Sequence, residues 1–191
     1  MPYELIAIGT SLGGLSALKT LLKCIPKAFP AAMAIVQHRH RESDQVLSSF
    51  LQQFTVLPVH EVEDKERIQP GHVYFAPADY HLLVECGYFS LSVDDPVSYA
   101  RPSIDVLLES VADTYGDRAI GVLLTGANQD GVRGLSKIKS RGGTAIVQDP
   151  DTAESPILPK AAIAAVSVDR VLPLTHIAPH LVHLCGPSTE L

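Results

Sequence analysis

The stretch Leu5-Ile6-Ala7-Ile8-Gly9-Thr10-Ser11-Leu12-Gly13-Gly14 limits the possible folds more than any other in the chain. An apolar run of strand length ends at a glycine-flanked serine. Apolar residues at Leu15, Leu18, Leu21, Leu22 and Ile25 follow at helical spacing. The pattern predicts a buried strand, a tight turn and an amphipathic helix. Gly9-Thr10-Ser11-Leu12-Gly13 also fits G-x-S-x-G, the nucleophile elbow, in which a sharp strand-to-helix turn exposes a serine hydroxyl. The N–H groups at the start of such a helix lack intrahelical partners and can stabilise an oxyanion. Leu12 and Gly13 are therefore candidate backbone donors.

Two plainer readings compete for this stretch. A glycine-rich turn after a first strand often binds a dinucleotide, but Ser11 replaces the middle glycine of G-x-G-x-x-G. The acid that should end the second strand is also missing, because that strand ends in Gln37-His38. The other reading is a structural turn with Ser11 as helix N-cap.

The next segments set a partner beside the serine. Pro26 and Pro30 close the helix, and Ala31–Val36 is a short apolar run ending at Gln37-His38. Strand, helix and strand in this length form one βαβ unit, whose crossover brings both strand ends to the same edge of the sheet. Neighbouring strands lie ~4.8 Å apart, so His38 falls within reach of Ser11 and is a candidate general base.

Further along, a helix is expected over 44–54, strands over 58–62 and 72–76, and an antiparallel hairpin over 81–93 around Cys86-Gly87. A helix should run from Arg101-Pro102-Ser103 to about Tyr115, with Gly116 as its C-cap. Residues 118–125 read as another buried strand, and Asp130 follows it in the loop Gly126–Gly131. An Asp-Gly pair is a common turn signal, but an acid at a third strand end is also what an oriented histidine requires. A helix over 132–141, a strand over 144–147, a polar loop over 148–159, a helix over 160–166 and a strand over 171–174 complete the pattern. Thr175 is expected to cap a last helix carrying His176, His180 and His183. These histidines and His38-x-His40 have metal-like spacing, but no carboxylates accompany them to complete a site.

Composition bounds the rest. A length of 191 residues suits one α/β domain, doubly wound, with a mostly parallel sheet, helices on both faces and an antiparallel hairpin near one edge. No apolar run reaches the ~18 residues of a membrane span, and no signal peptide is expected before the first strand. Three scattered cysteines point to reduced thiols in a cytoplasmic setting, and a net charge of −6 argues against nucleic-acid binding. No cofactor, metal or membrane insertion is expected.

Several motifs in order resemble the catalytic domain of the CheB chemotaxis protein-glutamate methylesterases. They are Ile8–Gly14, Val36-Gln37-His38, Pro70–Pro77, Arg101–Leu107, Leu124-Thr125-Gly126 and Asp130-Gly131. The resemblance implies a catalytic triad of Ser11, His38 and Asp130 in a single catalytic domain over 1–191, without the receiver domain usual in the family. It implies hydrolysis of glutamate γ-methyl esters on the cytoplasmic helices of methyl-accepting chemotaxis receptors, with release of methanol, and in some members deamidation of receptor glutamines. Two positions depart from the family pattern. Leu12 stands where a threonine is usual, and Ala127-Asn128 where Met-Gly is common; the Ala127 N–H remains a candidate oxyanion donor.

Arg39, Arg41, Arg101 and Arg133, with Lys137, are expected to form a basic rim that captures an acidic receptor segment. A non-catalytic adaptor of the same fold, or an esterase for another methylated protein or a small ester, are the alternatives.

Overall fold

The computed structural model describes residues 3–38 and 46–186. β1 (Leu5–Thr10) lies at the centre of a seven-stranded sheet, between β2 (Ala32–Gln37) and β7 (Ala119–Leu123). Outside β2 stand β4 (Val73–Phe75) and β3 (Val59–Glu61). Outside β7 stand β8 (Thr144–Gln148) and β9 (Arg170–Leu172). All neighbours run parallel, so every carboxyl end lies on one edge. From β1 the chain passes to β2, the edge strand β3 and back to β4 on one side, then crosses to β7, β8 and β9 on the other. The crevice beside the carboxyl ends of β1 and β7 is thus a topological switch point, where open α/β sheets bind ligands.

Strand alternation divides β1 between two cores. Leu5 and Ala7 face α3 (Ile104–Tyr115), α4 (Val132–Ser140) and α5 (Ile157–Ala165). Ile6 and Ile8 face α1 (Gly14–Leu22), α2 (Val46–Gln52) and α6 (Leu174–Cys185). Both faces are covered, so the central strands are apolar throughout rather than alternating. The hairpin β5 (His81–Glu85) and β6 (Tyr88–Ser92) forms a separate two-stranded sheet, and an antiparallel bridge ties Tyr88 of β6 to Arg67. It joins the α3 side of the core, where Phe89 meets Tyr74 of β4 at 4.7 Å between ring centroids.

Most expected elements form, with shifts that have physical causes. α5 begins at Ile157, three residues ahead of expectation, and takes in Pro159. Proline is tolerated in a first helical turn, because the N–H groups there have no carbonyl to meet. The last helix starts at Leu174 with Pro173 at its N-cap, so Thr175 lies inside it and does not cap it. Gly13, not Ser11, is the N-cap of α1. β9 sits one residue early, at the register Gln148↔Leu172. Residues 44–45 of the expected second helix lie outside the described residues.

Two glycines fix how close α3 comes to the sheet. A Cβ on Gly9 would stand 2.1 Å from Ile104 Cγ2, and one on Gly131 would stand 2.6 Å from the same methyl. Ile104, the first residue of α3, is therefore wedged between the end of β1 and the loop after β7. This seats the start of α3 directly under the strand ends. Gly9→Ala should lose on the order of 1–3 kcal/mol of stability through overpacking. The double variant Gly9→Ala/Ile104→Ala should lose less than the sum of the two single changes. Urea unfolding of the four proteins measures both quantities.

Candidate active site

The turn after β1 is held from two sides. Ser11 N–H donates to Thr125 O at 3.0 Å, and Thr10 Oγ1 donates to the same carbonyl at 2.7 Å. Thr125 Oγ1 donates in turn to Leu12 O at 2.9 Å and accepts from Ser155 N–H at 2.9 Å. On the other side, Gln37 Nε2 donates to both Ser11 O (2.8 Å) and His38 O (2.9 Å), while His38 N–H reaches Thr10 O at 3.0 Å. Gln37, to which sequence reading gave no structural role, thus ties the two strand ends together. Gly13 takes φ +80°, a left-handed conformation that costs a glycine little.

Asp130 is placed by helix α3. The carboxylate is buried and accepts four hydrogen bonds. Ser103 Oγ (2.7 Å) and Asp105 N–H (3.0 Å) reach Oδ1; Ile104 N–H (2.7 Å) and His38 Nε2 (2.7 Å) reach Oδ2. These donors fill the capacity of an ionised carboxylate. Burial alone would raise its pKa. The His38 hydrogen bond, then the Ile104 and Asp105 N–H groups and Ser103 Oγ, outweigh that and hold the carboxyl below the usual range.

Asp105 makes the reciprocal contact. Its Oδ1 accepts from Gly131 N–H (3.0 Å) and Gly134 N–H (2.7 Å) at the start of α4. Here burial prevails, and Asp105 is pushed up, with Asp130 adding to the effect against the backbone donors and Arg133. Sequence reading passed over both Asp105 and His81. Buried His81 accepts from Ser103 N–H at Nδ1 (3.2 Å), so its Nε2–H donates to Asp95 O (3.1 Å). It fastens the hairpin to the residue that holds Asp130. Only its place at the start of a half-buried strand hinted at this.

With Asp130 on Nε2, the other ring nitrogen of His38 is the one left for proton transfer. Ser11 and His38 line one open cavity of about 660 Å³, together with Leu12, Gly13, Lys19, Phe50 and Glu154. A hydrogen bond between Ser11 Oγ and His38 is expected from the strand ends, but it is not formed. Ser11 Oγ makes no hydrogen bond among the described residues, and His38 Nδ1 instead faces Asn128 Nδ2 at 3.2 Å. Catalytic hydrogen bonds often tighten only with substrate. The N–H groups of Leu12, Gly13 and Ala127 also make no hydrogen bond among the described residues, which leaves them able to meet an oxyanion.

Of the expected basic rim, Arg101, Arg133 and Lys137 are each engaged by acids of the same chain. Arg101 directs Nε and Nη2 to Asp79 Oδ1 (2.9 and 2.8 Å) and Nη1 to the carbonyls of Val93 (2.7 Å) and Asp94 (3.0 Å). Arg133 pairs with Glu109, and Lys137 with Asp113. Arg39, His40 and Arg41 lie outside the described residues. Among the described residues, no three His, Cys, Asp or Glu side chains converge as a metal site requires.

Comparison with known proteins gives one consistent picture. The CheB methylesterase family model matches residues 6–181. A putative protein-glutamate methylesterase/protein-glutamine glutaminase of Leptospira interrogans (serovar copenhageni) is 48% identical over 191 residues, covering 100% of this chain and 99% of that protein. The protein-glutamate methylesterase FrzG of Myxococcus xanthus is 41% identical over 182 residues, which are 95% of this chain and 54% of FrzG. The crystal structure of the Thermotoga maritima CheB methylesterase catalytic domain superposes with a TM-score of 0.93 at 35% identity, covering 96% of this chain and 100% of that one.

The two buried acids make opposite contributions to stability. Asp130, depressed in the folded state, contributes stability that is full above the ordinary carboxylate range and is lost as pH falls through its folded pKa. Asp105, raised in the folded state, subtracts stability as pH climbs from that range through its raised value. In Asp105→Asn the amide oxygen still accepts from Gly131 and Gly134, while the charge is gone. The variant should therefore gain on wild type as pH rises and then level off, measured by urea unfolding between about pH 4 and 7.

Proposed function

Because the chain belongs to the CheB methylesterase family, we propose that it is a protein-glutamate methylesterase that demethylates chemotaxis receptors and also deamidates receptor glutamines. The observation that carries this reading is the 2.7 Å contact from His38 Nε2 to the buried Asp130, with His38 and Ser11 lining the same cavity. A serine, an oriented imidazole and a buried carboxylate on three parallel strand ends form the set that acyl transfer needs.

Each residue has a role in the proposed reaction. Ser11 Oγ attacks the γ-carbonyl of a glutamyl methyl ester while His38 Nδ1 takes its proton. The imidazolium is stabilised through Nε2–H by Asp130, which stays ionised. The oxyanion is met by N–H groups among Leu12, Gly13 and Ala127. Nδ1–H then protonates the departing methoxide, and methanol leaves. Water attacks the acyl-serine, gives its proton to Nδ1 and frees the receptor carboxylate; Ser11 recovers its proton from His38. With a receptor glutamine the same sequence releases ammonia.

The surroundings suit a side chain presented by a larger partner. The mouth of the cavity is open, and exposed Leu12 and Leu15 (56% and 41%) stand beside the serine, where an apolar helix surface can rest. No helix among the described residues is long and apolar enough to cross a membrane.

Methanol release from receptor-containing membranes tests this reading. Ser11→Ala and His38→Ala should each cost several orders of magnitude in turnover, and the double variant little more, because the two act as a unit. Asp130→Asn should cost less than Ser11→Ala. Methanol release by Ser11→Ala near the wild-type rate would overturn the mechanism. Rapid hydrolysis of a small ester with no release from receptors would overturn the substrate.

A further inference from the structure

We propose that Asn128 is a positioning residue that caps the base nitrogen of His38 in the resting site and is displaced when Ser11 engages. This rests on the reading of His38 as general base and goes beyond it. The amide of Asn128 has only one sensible orientation. Its Oδ1 accepts from Asp130 N–H at 3.2 Å, a backbone group that can only donate. The amino end must then point the other way, where it meets His38 Nδ1 at 3.2 Å. A donor aimed at Nδ1 requires a lone pair there, and Nε2–H is already committed to Asp130. The ring is thus held between two contacts that demand the same tautomer, the one with its basic nitrogen at Nδ1.

The same contact restrains the site. An imidazole nitrogen offers one lone pair in the ring plane, so Asn128 Nδ2–H and Ser11 Oγ–H cannot both use it. This accounts for a Ser11 hydroxyl without a hydrogen bond among the described residues, although it shares a cavity with His38. Once Nδ1 has taken the serine proton, the Asn128 amino group faces an N–H and the contact turns repulsive. The amide must therefore move aside within the catalytic cycle. Both of its bonds are long at 3.2 Å, against 2.7 Å for His38 with Asp130, so the cap is the part that yields and the imidazole–carboxylate pair stays. Half-buried, on a loop between an exposed Ala127 and an exposed Gln129, Asn128 has room to do so.

Two variants separate the cap from a merely structural side chain. Asn128→Ala removes the competing donor. It should raise the rate at which a small fluorophosphonate labels Ser11 by about fivefold, the worth of one ordinary hydrogen bond. Asn128→Asp keeps the shape but turns a donor into an acceptor. It should draw a proton onto Nδ1, so that ¹⁵N spectra of His38 show both ring nitrogens protonated at a pH where wild type shows only Nε2, and labelling should fall. With wild-type Ser11 labelled, labelling of Asn128→Ala no faster than wild type would overturn the proposal, and so would an Nδ1 that stays unprotonated in Asn128→Asp. The spectra need no ester, so they decide the matter even if Ser11 proves unreactive. Normal labelling without methanol release from receptors would count against the substrate and leave the cap standing.

Discussion

The site depends on an exchange of carboxylates between two helix starts. Asp130, from the loop that leads into α4, sits on the first N–H groups of α3, and Asp105, from the first turn of α3, sits on those of α4. Each acid satisfies donors that a helix leaves unpaired and lies at the positive end of the other helix's dipole. Two anions are buried close together by this arrangement, and their pKa values move apart: Asp130 stays low and ionised, while Asp105 is pushed up. The geometry requires α3 to approach the strand ends very closely, which the missing side chains of Gly9 and Gly131 permit around Ile104.

A second clamp works on the serine side. Thr125, at the end of β7, receives the turn after β1 through its carbonyl and holds Leu12 O through its hydroxyl, while Gln37 joins the ends of β1 and β2. The nucleophile and the base are therefore fixed by backbone and buried side-chain contacts within the sheet. The acid is fixed from the opposite face by α3, with His81 carrying the hairpin into the same network. What remains adjustable in this frame is the contact between His38 Nδ1 and Asn128.

The elements legible in advance were those with strong local patterns. The βαβ unit around Ser11, the hairpin at Cys86-Gly87, and α3 with Gly116 at its end form close to where their periodicity and turn signals put them. The misplaced boundaries lie where a proline can be read two ways. Pro159 suggested a loop but fits a first helical turn, and Pro173 took the cap position assigned to Thr175. The cations read as a rim also show the limit of sequence adjacency. Arg101 lies close in the chain to Ser103, yet its guanidinium is taken up by Asp79 and the carbonyls of Val93 and Asp94.

By itself the sequence determined which residues stand at the carboxyl ends of parallel strands. Apolar runs of strand length define β1, β2 and β7, and right-handed crossovers bring their ends to one edge whatever side chains follow. Backbone rules therefore put Ser11, His38 and Asp130 on one edge of the sheet. Only the tertiary structure decided which imidazole nitrogen meets the acid, that Ser103, Ile104 and Asp105 hold that acid, and that Asn128 occupies the remaining lone pair. The physical reason is that strand positions follow from local periodicity, and parallel direction from the chirality of the crossovers. A ring's orientation and a carboxylate's donors depend on how closely segments far apart in the chain are packed, and that is set by contacts such as Ile104 against Gly9 and Gly131.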